Sequence, residues 1–248
     1  MLPPADQAPR GAKPIHKRKW AIYLLLVACG IGLVFSRACL MGDVGAKPAA
    51  PRADLTAVQR DFLERLSKAA LARQSEKVRY DPKYYQIAYP GGDIPKNRGV
   101  CSDEVIRSYR RLDIDLQQDV HEDILKHRSD YWQEAGLFNP DPNIDHRRVR
   151  NLGVFFKRQG VCLPISQRPM DYRPGEIVIW DLGGGSLHIG LLVNRQGWTG
   201  RILVLHNIGY GPVVEDVLFN WKIIGHYMYF GKSEIKLSPP VSRPYRRV

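Results

Sequence analysis

Cysteine is scarce in this chain, with four in 248 residues, and Cys29 and Cys39 lie in or beside one N-terminal apolar stretch. That is too few for a disulfide-dense scaffold, and no close CxxC or HxxxH spacing marks a strong metal site. The Gly183-Gly184-Gly185 run is followed by no Lys-Ser/Thr and leads into strand-like sequence, which excludes a phosphate loop. There is no internal repeat. Acidic groups are outnumbered, 25 against 37 basic ones, for a formal charge of +12. Apolar (44%) and charged (25%) fractions are ordinary, so collagen-like, low-complexity and wholly disordered readings fall away.

A charge of +12 raises nucleic acid or an anionic surface as partners until it is located. Residues 1–19 carry +4, residues 37–53 carry +2 and residues 231–248 carry +4, whereas residues 54–230 hold 24 basic and 22 acidic groups. The excess therefore lies in a flank, a tether and a tail. The body of the chain is nearly neutral, and no nucleic-acid partner is expected.

The one uncharged run, Trp20 to Phe35, follows that basic flank. As a helix its sixteen residues rise about 24 Å, slightly short of a bilayer core, and flanking Lys19 and Arg37 can snorkel to the interfaces. The basic flank keeps the start of the chain in the cytoplasm and exports the rest. Three readings stay open: an uncleaved signal anchor over residues 20–36, a signal peptide cut after Ser36-Arg37-Ala38, or a segment that resembles a bacterial lipoprotein signal, with Leu26-Val27-Ala28-Cys29 as lipobox and Cys29 lipidated. All three place the remainder in the cell envelope, outside the cytoplasm. Residues 37–53 read as a linker, residues 54–230 as the folded domain, and residues 231–248 as a disordered basic tail.

Within the domain, Asp54 is expected to cap a helix whose Leu55, Val58, Phe62, Leu66 and Ala69 recur at helical steps. A second helix is expected from about Cys101, with Val105, Ile106, Tyr109 and Leu112 on one face. Short helices follow near 120–127 and 149–158. After Pro174-Gly175 the period changes, and residues 176–180, 187–194, 201–207 and 222–230 read as strands. Helices first and an antiparallel sheet after them predict an α+β domain.

Cys101 follows a Gly-containing loop and opens the second helix. Free amides and the positive helix end there favour thiolate over thiol and suit an oxyanion, while Asp103 works against the thiolate. His188 sits in the apolar strand Leu187-His188-Ile189-Gly190, where Gly190 leaves room for another group to approach. A hairpin centred on Gly197 pairs 193 with 201 and 191 with 203, and sets His206 beside His188; a bulge would bring Asn207 in instead. Cys, His and a polar orienter make a nucleophilic triad.

These runs, Tyr89 to Asp103, Tyr172 to Trp180, His188-Ile189-Gly190 and Val204 to Asn207, resemble the NlpC-type clan of papain-like cysteine peptidases and amidases. Within it the chain is most similar to a bacterial envelope family called domain of unknown function 1287. The resemblance implies a papain-like fold, Cys101 as nucleophile, His188 as general base, His206 as orienter and Tyr89 near the nucleophile. No cofactor or metal is implied. Ser102-Asp103 departs from the Ser-Gly that usually follows the nucleophile, and a long insert separates Leu112 from Met170, so specificity does not carry over.

The implied function is hydrolysis of peptide bonds in bacterial cell-wall peptidoglycan, with a cell-wall peptide as substrate and the inner membrane as anchor in the periplasm. Alternatives are a non-catalytic envelope module that binds muropeptide or a protein partner in the same groove, a Cys101–Cys162 disulfide, or a Cys/His/His zinc site. Cys162 is expected to be a small buried apolar group. Arg147, Arg148, Arg150, Lys157 and Arg158 form a basic patch that suits a substrate carboxylate or merely a solvated helix face.

Overall fold

The computed structural model describes residues 55–232. The anchor segment Trp20–Phe35, Cys29, Asp54 and all but the first two tail residues lie outside them. Lys232, within the expected tail, pairs with Asp119 at 3.0 Å and Glu122 at 2.7 Å. No helix among the described residues is long and apolar enough to cross a membrane.

The fold is α+β. Among the described residues five α-helices come first: α1 (Ala57–Arg73), α2 (Cys101–Arg110), α3 (Leu116–Lys126), α4 (Arg128–Ala135) and α5 (Val149–Gln159). Short strands β1 (Arg79–Tyr80) and β2 (Arg98–Gly99) pair in parallel between α1 and α2. The main antiparallel sheet contains β3 (Val161–Cys162), β4 (Ile177–Gly183), β5 (Ser186–Gln196), β6 (Ile202–His206), β7 (Val213–Glu215) and β8 (Lys222–Met228), ordered β3-β8-β4-β5-β6-β7.

Strand alternation gives the sheet two apolar faces. Ile177, Ile179, Ile189, Leu191, Val193, Leu203 and Leu205 meet the helices through Leu66, Val105, Tyr109, Leu152 and Phe155. Val178, Trp180, Leu192 and Val204 point the other way and are covered by Tyr172, Val217, Leu218 and Ile223. Burying each Leu or Phe stabilises the fold by about 1.5–3 kcal/mol. A buried ion pair from Arg73 Nε to Glu104 Oε2, 2.8 Å, ties α1 to α2.

Several local expectations are corrected. Thr56, not Asp54, caps α1: its hydroxyl accepts from the Gln59 N–H at 3.2 Å, and Gln59 Oε1 accepts from the Thr56 N–H at 2.9 Å. This reciprocal box satisfies two helix-end donors. The buried stripe of α1 runs through Phe62, Leu63, Leu66 and Ala70, and Val58 is exposed. α4 is an added helix whose weak amphipathicity buries only Tyr131. Cys101 and Cys162 are both free, so no disulfide joins them. Cys162 is half-buried on edge strand β3, with its thiol donating to the Lys157 carbonyl.

Candidate active site

Cys101 is the first residue of α2, preceded by extended Val100. Asp103 explains why the helix begins there. Its Oδ2 accepts from the Val100 N–H at 2.7 Å, and both carboxylate oxygens take bonds from Arg147, at 2.9 and 3.1 Å. Arg147 also donates to the carbonyls of Asp81 and Lys83, and Ser102 Oγ donates to the Arg147 carbonyl at 2.8 Å. Ser102 and Asp103 therefore clamp the helix start to the loop before α5. That gives a structural reason for an Asp where the clan has Gly.

The Cys101 sulfur lies against the backbone N–H groups of Ile189, Ser102 and Cys101 itself, all of which favour thiolate. Burial outweighs them and, with Asp103 adding to it, pushes the thiol up to about 11. The expectation that the helix start would leave a thiolate is thus corrected: in the free protein the group is a neutral thiol, because desolvation costs the charged form more than three amides return.

His188 on β5 and His206 at the end of β6 meet side by side. His188 Nε2 lies 3.0 Å from His206 Nδ1, and His206 Nε2 lies 3.1 Å from Glu215 Oε2. Trp180 stacks on His188 with ring centroids 5.6 Å apart, and Trp221 packs edge-on to both imidazoles. Burial drives His188 down to about 3, with His206 adding to it. Burial also lowers His206, partly offset by Glu215. Both rings are neutral near pH 7. The Glu215 carboxylate can only accept, so His206 carries its proton on Nε2 and accepts at Nδ1. His188 must then be protonated on Nε2, which leaves its Nδ1 lone pair free as a base.

The β5–β6 register differs from the expected one. Leu191 pairs with Leu205 and Val193 with Leu203, two residues out along β6 from the predicted pairing, with an irregularity between Val193 and Gln196. A shift of two conserves the face, so His206 stays on the side of His188 as a diagonal neighbour. Asn207 does not replace it. Its Oδ1 accepts from the Gly209 and Gly211 N–H groups, 3.2 Å each, and its buried Nδ2 has no partner. Gly190 provides the close approach: a Cβ there would sit 2.5 Å from Val204 Cγ1 and 3.1 Å from Trp180 Cη2.

Cys101 packs in the helix-side core with its sulfur at the Ile189 amide, and the neighbouring residue His188 carries the first imidazole of the pair, so the two groups adjoin at the His188–Ile189 peptide. No hydrogen bond joins Cys101 to His188. Tyr89 is placed elsewhere. Its loop is pinned to α3 by Asp115 and Gln117, and its ring packs edge-on to His121 at 5.3 Å. The tyrosine that feels Cys101 is Tyr80 on β1, whose phenol is raised first by burial and then by Cys101 and Asp103. Sequence reasoning missed both Tyr80 and Glu215. Continuing the hairpin logic one strand further, with His206 opposite Val213, sets Glu215 on the His206 face. The other histidines are mostly satisfied: His226 bonds Glu176 at 2.8 Å and the Pro164 carbonyl at 2.9 Å, and His121 bonds Asp145 at 2.9 Å. Among the described residues no group of three or more His, Cys, Asp or Glu could hold a metal ion.

Comparison with known proteins adds family information. A family model described as domain of unknown function 1287 matches residues 67–229. The uncharacterized protein YijF of Escherichia coli (strain K12) is 49% identical over 187 residues, covering 75% of this chain and 90% of that protein. Among solved structures, NlpC1 from Trichomonas vaginalis aligns over 68% of this chain and 45% of its own, at 15% identity and a TM-score of 0.37.

Proposed function

The chain belongs to the family of domain of unknown function 1287, and from that premise we propose that it is an exported cysteine amidase or peptidase that cuts peptide bonds in bacterial cell-wall peptidoglycan. The observation that carries this reading is the chain His188–His206–Glu215, which leaves a lone pair at Nδ1 of His188, the residue next to Ile189, whose amide touches the Cys101 sulfur. The Cys101 sulfur attacks the amide carbonyl carbon as its proton passes to His188 Nδ1. The amides at the start of α2 hold the oxyanion, and His206 with Glu215 stabilises the imidazolium. The C–N bond breaks as His188 returns the proton to the leaving amine, giving a thioester. Water, deprotonated by His188, then releases the acid and regenerates the thiol.

Because Cys101 rests as a neutral thiol without a hydrogen bond to His188, the proton transfer belongs to the substrate-bound state, in which catalytic contacts tighten. The N-terminal segment holds the domain at the inner membrane, facing the wall. Incubation of the purified protein with peptidoglycan, followed by mass spectrometry of the soluble products, tests this. New peptide ends, each cut adding one water, are expected with the parent protein and not with Cys101→Ala. Identical products from both would refute the mechanism.

The same buried, protonated thiol also favours a second reading, a groove that binds muropeptide or a protein partner without turnover. Binding to both proteins with no new peptide ends is its signature.

A further inference from the structure

The basic patch of the insert divides once its partners are known. Arg147 is spent on Asp103, Arg158 on Asp123 and Asp130, and Lys157 on Glu134 at 2.9 Å. Arg148 and Arg150 form no ion pair among the described residues. Arg148 feels Asp141 and Asp145 only at longer range, and Arg150 Nη2 donates to the Gly185 carbonyl at 3.3 Å. Both arginines line a cavity of ≈ 300 Å³ between α5, the end of α4 and the Gly183–Gly185 hairpin tip, which also includes Leu187. Leu187 and Ile189 point to the same sheet face, and Ile189 is the residue whose amide touches the Cys101 sulfur.

We propose that this cavity is a carboxylate subsite, in which Arg148 and Arg150 hold an acidic group of the bound peptide about two residues from the bond at Cys101. Two residues along β5 span about 7 Å, so an extended peptide lying over Cys101 reaches the cavity within two residues of its own. A planar, permanently charged guanidinium suits a carboxylate and forms short charge-assisted bonds with it. This subsite rests on the hydrolase reading for its orientation, but binding alone reports on it.

The test uses full-length Cys101→Ala protein and a synthetic cell-wall stem tetrapeptide, as the free acid and as its carboxyl-amidated form, titrated by calorimetry. The free acid is expected to bind about tenfold or more tighter than the amide, as for a paired, desolvated charge. The double variant Arg148→Gln/Arg150→Gln on the same background should lose that preference while keeping the amide affinity. Equal affinity for acid and amide, no binding of the acid, or a preference that survives the double variant each overturns the subsite. Turnover of both peptides by the otherwise unchanged protein is measured separately. Preference in binding without turnover sinks the hydrolase and leaves the subsite standing, while turnover without preference does the reverse.

Discussion

His188 Nε2 and His206 Nδ1 lie 3.0 Å apart in a pocket walled by Trp180 and Trp221, and the Glu215 carboxylate on the far side of His206 fixes which nitrogen of each ring carries a proton. In the proposed mechanism the pair works as a base only in that tautomer. Glu215 is half-exposed, so its contribution is expected to resemble that of an outer-shell ligand. Glu215→Gln should lower kcat about 10- to 100-fold with little change in KM. Nitrogen-15 NMR of the imidazoles should show His206 losing its exclusive Nε2–H form. An unchanged tautomer together with unchanged kcat would remove Glu215 from the site.

Gly190→Ala places a methyl 2.5 Å from Val204 Cγ1 and 2.9 Å from the Leu205 carbonyl oxygen. Neither side can yield without opening the β5–β6 ladder, so the variant should lose about 1–3 kcal/mol of stability by overpacking. Urea unfolding measures the loss, and a midpoint equal to the parent's would mean that the strands do not approach so closely.

Asp103 has a structural part rather than a chemical one. Asp103→Ala strips the buried Arg147 guanidinium of two bonds and frees the Val100 N–H. Breaking a buried pair from one side costs about 3–5 kcal/mol. A large drop in melting temperature is expected, and a change below one kcal/mol would show that the clamp is not formed in solution.

Burial holds His188 and His146 down at about 3, and His206 is lowered in the same direction. The unfolded chain binds the His188 and His146 protons near pH 6.5, the folded chain only at about 3, so between the two the unfolded state holds more protons. Stability from these groups is complete above about pH 6.5 and falls as pH drops towards about 3. The urea midpoint should therefore decrease between about pH 7.5 and about pH 4.5, less steeply in His146→Gln. A midpoint that stays flat in the parent would contradict neutral buried imidazoles.

The Cys101 thiol, pushed up to about 11, should react slowly with iodoacetamide near neutrality, with a rate rising about tenfold per pH unit up to about pH 10. Peptide mapping by mass spectrometry separates it from the other cysteines. Fast labelling at pH about 7 that levels off would mean a thiolate, against the burial described above.

Much of this was legible in residues with strong local signals. Val105, Ile106 and Tyr109 recur on one face and form α2 as their period requires, and the Val/Ile/Leu runs after Pro174-Gly175 became β4, β5, β6 and β8. His188 and His206 shared a face under either register because the hairpin slipped by an even number of residues. What stayed hidden was long-range. The partner of Asp103 is Arg147, forty-four positions on, and no local pattern ties them. Tyr80 is brought within electrostatic range of Cys101 by a two-residue parallel pairing, β1 with β2, too short to leave a period. The thiol's protonation was misjudged for a related reason: three amides at a helix start are readable in sequence, whereas the depth at which the fold buries the sulfur is not.

Whether His188 is the base for Cys101 is tested most directly by steady-state hydrolysis of a purified muropeptide by the parent protein and by His188→Ala. Loss of an activating base is expected to cut kcat by about 10²- to 10⁴-fold, with the fold intact by circular dichroism. Retention of kcat within about twofold in His188→Ala would contradict the assignment.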